Sequence, residues 1–514
     1  MTQWLKNAIF YEIYPQSFMD ANDDGIGDLQ GIISKLDYIR ELGCNAIWIN
    51  PCFDSPFMDA GYDVADYYKI APRYGTNEDA RQLFDEAHKR GMHVLLDLVP
   101  GHTSHLHPWF LESMKAERNE YTDRYVWTDD IWNAPEGFAT LRGISDRDGC
   151  AVTNFFSTQP ALNYGFYHIT EKWQQSPEDE GPRKTLEEVI HIIRFWLEMG
   201  CDGFRVDMAG SLVKNDPDSL GTIALWQKVR AFLDREFPDA AFVSEWGEPD
   251  KSLMGGFHMD FLLHFGPSHY NDLFRCEHPY FARDGKGVVS DFVKKYVENY
   301  TKTDGRGLIC IPSGNHDMNR LSFQLDEEER KLAFAFLLSM PGAPFLYYGD
   351  EIGMNYLKDL KSLEGGYSRT GSRTPMQWDN SQPNAGFSRA EASKLYLPQD
   401  PREDRPAVST ELQREDSLLN EIRKLIGIRQ SHIALQNEGA IRFVDTGREY
   451  PLAYVRSAGE ERILAVINPS ETEVSVKLPE EAVRCLYAYD GKEVTWDGDE
   501  AAVPGVSAGF YLLK

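Results

Sequence analysis

GFRVD, residues 203 to 207, is a short apolar run that leaves Asp207 at its exit and sets Arg205 two places before it. Five such residues are too few for a helix and suit a strand buried on both faces, with Arg205 and Asp207 on the same side. The build recurs: LLDLVPGH (95 to 102) carries Asp97 and His102, FVSE (242 to 245) ends on Glu245, and SGNHD (313 to 317) ends on Asp317. Outward from these, eight apolar runs read as strands: 8 to 15, 46 to 51, 93 to 100, 203 to 208, 242 to 246, 259 to 265, 307 to 314 and 344 to 350. Amphipathic stretches lie between them, among them 29 to 43, 77 to 91 and 185 to 200, the first and last closing on Gly43 and Gly200 as C-caps. Eight strands joined by helical crossovers predict an α/β fold, a closed (β/α)8 TIM barrel.

In that architecture functional groups gather at the C-terminal ends of the strands, where all of these acids fall. Taken singly, each has an ordinary structural role open to it. Arg205 and Asp207 can be an ion pair within the barrel, Glu245 or Asp317 a helix cap, and His316 a satisfied hydrogen-bonding residue. Their joint occurrence at corresponding ends of separate strands is what favours chemistry. Carboxyls converging on one space are what breaking a glycosidic bond requires, one donating a proton while another meets the positive charge that develops on the sugar.

The interval after the third strand is rich in Trp, Asp, Asn and Gly and poor in periodicity, which predicts an inserted domain able to wall one side of a cleft. Beyond a helical stretch near 415 to 430 come short alternating segments (AIRFVDT, LAYVRSA, ILAVINP, VSVKLP, CLYAYD, GFYLLK), a C-terminal antiparallel β-sandwich domain. The expected division is therefore 1–102 with 167–430 for the barrel, 103–166 for the insertion and 431–514 for the β domain. A formal charge of −28 excludes nucleic acid and anionic membrane surfaces as partners, while a neutral substrate is unaffected. No apolar stretch has signal-peptide or membrane-spanning length, and the seven cysteines are scattered without a CxxC pair, so the expectation is a cytoplasmic protein with buried thiols and no zinc site.

With those four motifs in order, the chain resembles the α-amylase superfamily, glycoside hydrolase family 13, over essentially its whole length. GYDVADYY (61 to 68), QPALN (159 to 163), YYGDEIGM (347 to 354) and RTPMQWD (373 to 379) carry a closer likeness to its oligo-1,6-glucosidase, α-glucosidase and trehalose synthase branch. The resemblance implies that Asp207 is the nucleophile, Glu245 the general acid and base, and Asp317 the acid that stabilises the transition state. It implies that His102 and His316 hold hydroxyls of the bound sugar, that Tyr62 offers a stacking face, and that Asp63 and Arg373 clamp the non-reducing end. Arg205, facing Asp207, is expected to depress the pKa of that nucleophile.

The loop from 20 to 28 sets oxygen donors at alternate positions with a Gly at the sixth, like the start of an EF-hand, but Gly31 stands where the twelfth-position Glu belongs. By the resemblance it is expected to hold a structural Ca²⁺ or Mg²⁺ through Asp20, Asn22, Asp24, the Ile26 carbonyl and Asp28, with no organic cofactor. Two positions depart from the family pattern. Gly101 replaces the Asn before the histidine, which removes a ligand of a second calcium, and Ala161 replaces the Asp of QPDLN, which leaves that segment's link to the barrel open. Met208, after the nucleophile, matches neither residue associated with a given linkage. The implied activity is a retaining exo-α-glucosidase on short oligosaccharides or disaccharides. Its alternatives are a transglucosidase or isomerase of the trehalose synthase or sucrose-converting kind and, distantly, a non-catalytic binding homologue.

Overall fold

The eight parallel strands form where the apolar runs predict them: β1 (Phe10–Ile13), β2 (Ala46–Ile49), β3 (His93–Leu98), β4 (Gly203–Val206), β5 (Ala241–Ser244), β6 (Met259–Phe261), β7 (Leu308–Cys310) and β8 (Phe345–Tyr347). Their order in the sheet is β7-β6-β5-β4-β3-β2-β1-β8, so nearly every strand lies beside its sequence neighbour. The sheet ends meet just past β7, where Ser313 N donates to the Phe345 carbonyl at 2.9 Å and Tyr347 N to the Ser313 hydroxyl at 3.1 Å. The result is a nearly closed barrel whose strands are buried on both faces, which is why they read as continuous apolar runs. The computed structural model describes residues 2–132, 134–478, 482–498 and 500–514. Met1 and Asn133, within the ranges expected for the barrel and insertion, and Pro479, at the end of VSVKLP, lie outside the described residues.

The outer helices pack by their apolar stripes. Helix Glu180–Met199 buries Val189, Ile192, Ile193, Trp196 and Leu197, the i, i+3, i+4, i+7, i+8 face. Each such side chain contributes about 1.5–3 kcal/mol by leaving water. This helix begins five residues earlier than the periodicity suggested, with Pro182 accommodated in its first turn. The stretch from 29 to 43 is two helices, Leu29–Ser34 and Leu36–Leu42, broken at Lys35, whose ψ of 3° is non-helical. Gly43 and Gly200 do close their helices, at φ 106° and 121°.

Between β3 and β4 the chain forms short pairings, Thr140–Leu141 with Ala151–Val152, around a small core of Val126, Val152, Ala161 and Phe166. This segment returns to the barrel directly: Leu162 N donates to Gly101 O at 3.1 Å and Thr103 N to Pro160 O at 3.3 Å. Ala161 is fully buried in that seam and its backbone bridges to His102, so main-chain pairing makes the link that the departure from QPDLN left open.

The C-terminal domain holds β9 (Ala440–Val444), β10 (Leu452–Ala458), β11 (Glu461–Asn468), β12 (Val474–Lys477), β13 (Ala482–Ala488), β14 (Thr495–Asp497), β15 (Glu500–Val503) and β16 (Ser507–Leu513). One sheet runs β9-β10-β11-β16-β13 and the other β12-β15-β14, and Val455, Leu464, Val476, Val503 and Tyr511 belong to the core they share. Arg456 on β10 ties this domain to the barrel, its Nη1 donating to the Ser339 carbonyl. All seven cysteines are free; Cys276 and Cys485 are half-buried rather than buried. Among the described residues no helix is long and apolar enough to cross a membrane.

Candidate active site

Register places the site's central cation. Arg205 on β4 stands opposite Asp97 on β3, and Asp207 and Glu245 follow directly on β4 and β5. The buried guanidinium of Arg205 binds all three acids: Nη1 lies 2.9 Å from both Asp97 Oδ1 and Asp207 Oδ1, and Nη2 lies 2.9 Å from Glu245 Oε2. Asp97, flagged by its strand-end position, also accepts from Trp48 Nε1 at 3.1 Å and from the Tyr62 hydroxyl at 3.2 Å. Met208 turns over the site with φ 44°, a left-handed conformation uncommon for a side-chain-bearing residue, and its N–H donates to Glu245 Oε2 at 3.0 Å.

Three carboxylates around one guanidinium cannot all remain ionised out of water, and the group retains a proton. Burial pushes Asp207 up to about 7, against the pull of Arg205 and a hydrogen bond with Glu245. Burial likewise pushes Glu245 up to about 8, with Arg205 lowering and Asp207 raising it. The expectation of a depressed Asp207 is therefore corrected: Arg205 does act downward, but desolvation is the larger effect. Both carboxyls are raised by the same burial and share one guanidinium, so a proton is held within the pair. Trp246 lines the cavity beside Glu245, an apolar neighbour consistent with that shift.

Asp317 faces the opposite electrostatics. Arg369 Nη1 and Arg373 Nη2 donate to its Oδ1 at 2.7 and 3.0 Å. Burial opposes ionisation, yet His316, Arg369 and Arg373 around it hold Asp317 well below the usual carboxylate range. Burial itself keeps His316 neutral, so the two guanidiniums supply the standing charge.

The site opens into a cavity of about 670 Å³, within the size of small-molecule sites. Tyr62, His102, Asp207, Met208, Glu245 and Asp317 line it. Four expected residues do not. Arg205 and His316 stand behind the wall as supports. Asp63 is fully buried, its carboxylate taken by the Ser55 hydroxyl and the Met58 and Asp59 N–H groups. Arg373 is 2% exposed and spends its donors on His316 O, Tyr14 and Asp317. The charged pair that lines the cavity is instead Asp59 and Arg369, 3.5 Å apart, which the residue types around GYD and RTPMQ did not single out. Asp59 also accepts from Gln159 Nε2 at 2.7 Å, and burial raises it to about 7.

The two histidines use their rings on the protein. His316 meets Asn50 Nδ2 and Glu12 Oε1 through Nδ1, at 3.0 and 3.1 Å, and the Tyr62 hydroxyl through Nε2, at 2.7 Å. His102 meets Asn154 through Nδ1 at 3.1 Å and the Tyr62 carbonyl through Nε2 at 3.0 Å. Neither ring has a nitrogen left over for a sugar hydroxyl. Tyr62 stacks on His316, centroids 5.3 Å apart at 15°. The mouth carries Phe155, Phe156, Phe265 and Tyr367, aromatic faces that sequence position alone did not mark.

In the loop from 20 to 28, Asp20 Oδ1 accepts from Asn22 N and Asp23 N, Asn22 Oδ1 from Asp24 N, Asp24 Oδ1 from Ile26 N, and Asp28 Oδ1 and Oδ2 from Gly31 N and Ala21 N. The donors are hard oxygens, the type that Ca²⁺ and Mg²⁺ take. Among the described residues no group of three or more His, Cys, Asp or Glu side chains is placed to hold a metal ion. A cation here would draw on the Asn22 amide and Ile26 carbonyl as well as the acids.

Comparison with known proteins agrees with this geometry. A family model described as the alpha amylase catalytic domain matches residues 12–438, and one described as the maltogenic amylase C-terminal domain matches residues 441–504. The trehalose synthase/amylase TreS of Mycobacterium tuberculosis is 34% identical over 535 residues, covering 92% of this chain and 83% of that protein. The oligo-1,6-glucosidase of Parageobacillus thermoglucosidasius is 30% identical over 562 residues, covering 97% and 96%. Among solved structures, the trehalulose synthase MutB of Pseudomonas mesoacidophila MX-45 superposes with a TM-score of 0.83 at 26% identity, with both chains fully covered.

Proposed function

The chain belongs to the α-amylase family, glycoside hydrolase family 13, and is an enzyme of glycoside hydrolase type; on that footing we propose that it is a retaining, exo-acting α-glucosidase of short α-glucosides. The observation that carries the reading is the Arg205 fork, which holds Asp207 Oδ1 and Glu245 Oε2 each 2.9 Å from one guanidinium. Two carboxyls gripped by one guanidinium favour the paired arrangement of double displacement over the wider spacing of single inversion.

In the first step Asp207 attacks the anomeric carbon, Glu245 gives its proton to the glycosidic oxygen, and the aglycone leaves as an alcohol. In the second, Glu245 takes a proton from water, the hydroxide attacks the same carbon, and Asp207 departs as a carboxylate, restoring both groups. Asp317, kept anionic by Arg369 and Arg373, offsets the oxocarbenium charge in both transition states. Asp59 and Arg369 set a charged pair into the cavity lining, which supports recognition of a chain end over endo action. The loop from 20 to 28 is proposed as a structural Ca²⁺ or Mg²⁺ site outside the chemistry. A Tm lowered by EDTA and restored by one of these ions supports it, and an unchanged Tm removes it.

A second reading has its own support, since TreS and MutB, by their names, make trehalose and trehalulose. If a sugar rather than water reaches the glucosyl ester, the same residues give transfer or isomerisation. The test is a product-resolved time course on maltose, isomaltose, sucrose, trehalose and maltotriose. Free glucose as the main product supports hydrolysis, accumulation of a new disaccharide moves the assignment to transfer, and no turnover of any contradicts both.

A further inference from the structure

A Cβ at position 101 would lie 2.6 Å from Asn154 Nδ2, so any side chain there would have to displace the end of that amide. The amide of Asn154, from the excursion after β3, occupies that space instead. Its Nδ2 donates to His102 Nδ1 at 3.1 Å and its Oδ1 accepts from Lys214 Nζ at 3.0 Å. Lys214, on the loop after β4, also donates to Ser211 O at 2.9 Å, and its backbone is tied to Gly165 and Tyr167 at 2.9 and 2.8 Å. Among the described residues it makes no ion pair. We infer that Lys214 and Asn154 are positioning residues for the pocket, orienting His102 and through it Tyr62.

The direction of every bond follows from the lysine. An ammonium has donors only, so it must face Oδ1, and the NH₂ end of the amide is thereby turned to the imidazole. His102 Nδ1 must then accept, which leaves the proton on Nε2, where it donates to the Tyr62 carbonyl at 3.0 Å. Burial keeps the ring neutral, with the Tyr62 carbonyl favouring and Lys214 opposing its charge. Tyr62 in turn bonds His316 and Asp97 through its hydroxyl and stacks on the His316 ring. One ammonium thus fixes an amide, a tautomer and the aromatic wall over the carboxylates, and glycine at 101 is the condition that lets the amide in. Asn154 belongs to the excursion after β3 and Lys214 to the loop after β4, so the same contacts hold the excursion against the barrel.

The catalytic readout rests on the glucosidase reading, so wild-type turnover is established first. On a substrate the wild type uses, Asn154→Ala and Lys214→Met should each lower kcat about ten- to a hundredfold with little change in KM. The double variant should lose no more than the worse single one, because both break one path. Gly101→Ala keeps both polar residues and should reproduce the loss, which covers the case where Lys214→Met fails to fold. Independently of any substrate, ¹⁵N-histidine NMR of the full chain should find His102 as the neutral Nε2–H tautomer, and find that state lost in Asn154→Ala. Additive losses in the double variant, or a His102 tautomer unchanged by Asn154→Ala, would overturn the inference. An inactive wild type with the tautomer result intact would sink the functional reading alone.

Discussion

Arg205→Met keeps a side chain of similar length and removes the one cation bonded to three buried carboxylates. At an effective dielectric of about 20 each charge pair near 4 Å is worth about 4 kcal/mol, so the two carboxylates that stay ionised sum to about 8 kcal/mol of Coulomb energy. The folded chain does not forfeit that amount, because it can take up protons instead. Protonating a carboxylate of ordinary pKa at pH 7 costs about 4 kcal/mol, which caps the loss near the 3–5 kcal/mol found for breaking a buried pair. Arg205 acts downward on Asp97, Asp207 and Glu245, so its removal raises all three. Activity requires the Asp207 anion, so the acidic limb of kcat/KM should move to higher pH by about one unit or more, and turnover at pH 7 should fall by at least about a hundredfold. Urea denaturation and kcat/KM between pH 5 and 10 read both effects. A folded variant with an unmoved limb and turnover within about tenfold of the parent would refute the reasoning.

Glu245→Gln should lose about 10²–10⁴-fold on disaccharides but far less on a glucosyl donor whose leaving group needs no proton; equal losses on both would count against Glu245 as the acid. Arg369→Ala removes one of two cations from Asp317 and breaks the Asp59 pair in the cavity lining, so KM for disaccharides should rise about tenfold while longer glucans gain relative to them; an unchanged ratio would argue against recognition of a chain end by this pair. Asp260, whose Oδ1 accepts from Ser244 and from the Trp246 N–H after Glu245, is raised by burial to about 7. The fold therefore holds a proton that the unfolded chain releases near pH 4, and wild-type stability is lost as pH rises from about 4 through about 7. In Asp260→Asn the stability difference between pH 5 and pH 8 should shrink by about 1–3 kcal/mol, and identical pH dependence would disprove the assignment.

The barrel was legible because parallel strands bury both faces, which makes each a continuous apolar run with its functional residue at the exit. The helix 29 to 43 misled because its periodicity continues through Lys35 while the backbone does not. β14 and β15 are short and carry Asp497 and Glu500 at the turn between them, leaving too little alternation to mark strands. In the site, Asp63 and Arg373 were expected where Asp59 and Arg369 stand. Each pair is four residues apart in one segment, and which member faces the cavity depends on turns such as the Tyr62 N to Asp59 O bond, not on residue type. The sign of the Asp207 shift was missed because sequence reveals Arg205 beside it but not the depth of burial. Asn154 and Lys214 were invisible for a plainer reason: they lie 52 and 112 residues from His102, with no local pattern linking them.

The account stands on Asp207 forming a covalent bond to the sugar. The direct measurement is incubation of the enzyme with a 5-fluoro-α-glucosyl fluoride, followed by proteolysis and mass spectrometry of the peptide spanning 203 to 208. The account predicts one fluoroglucosyl adduct per chain, on Asp207, absent from Asp207→Asn. An adduct on Glu245 or Asp317 instead, or turnover of the donor with inversion and no adduct, would contradict it.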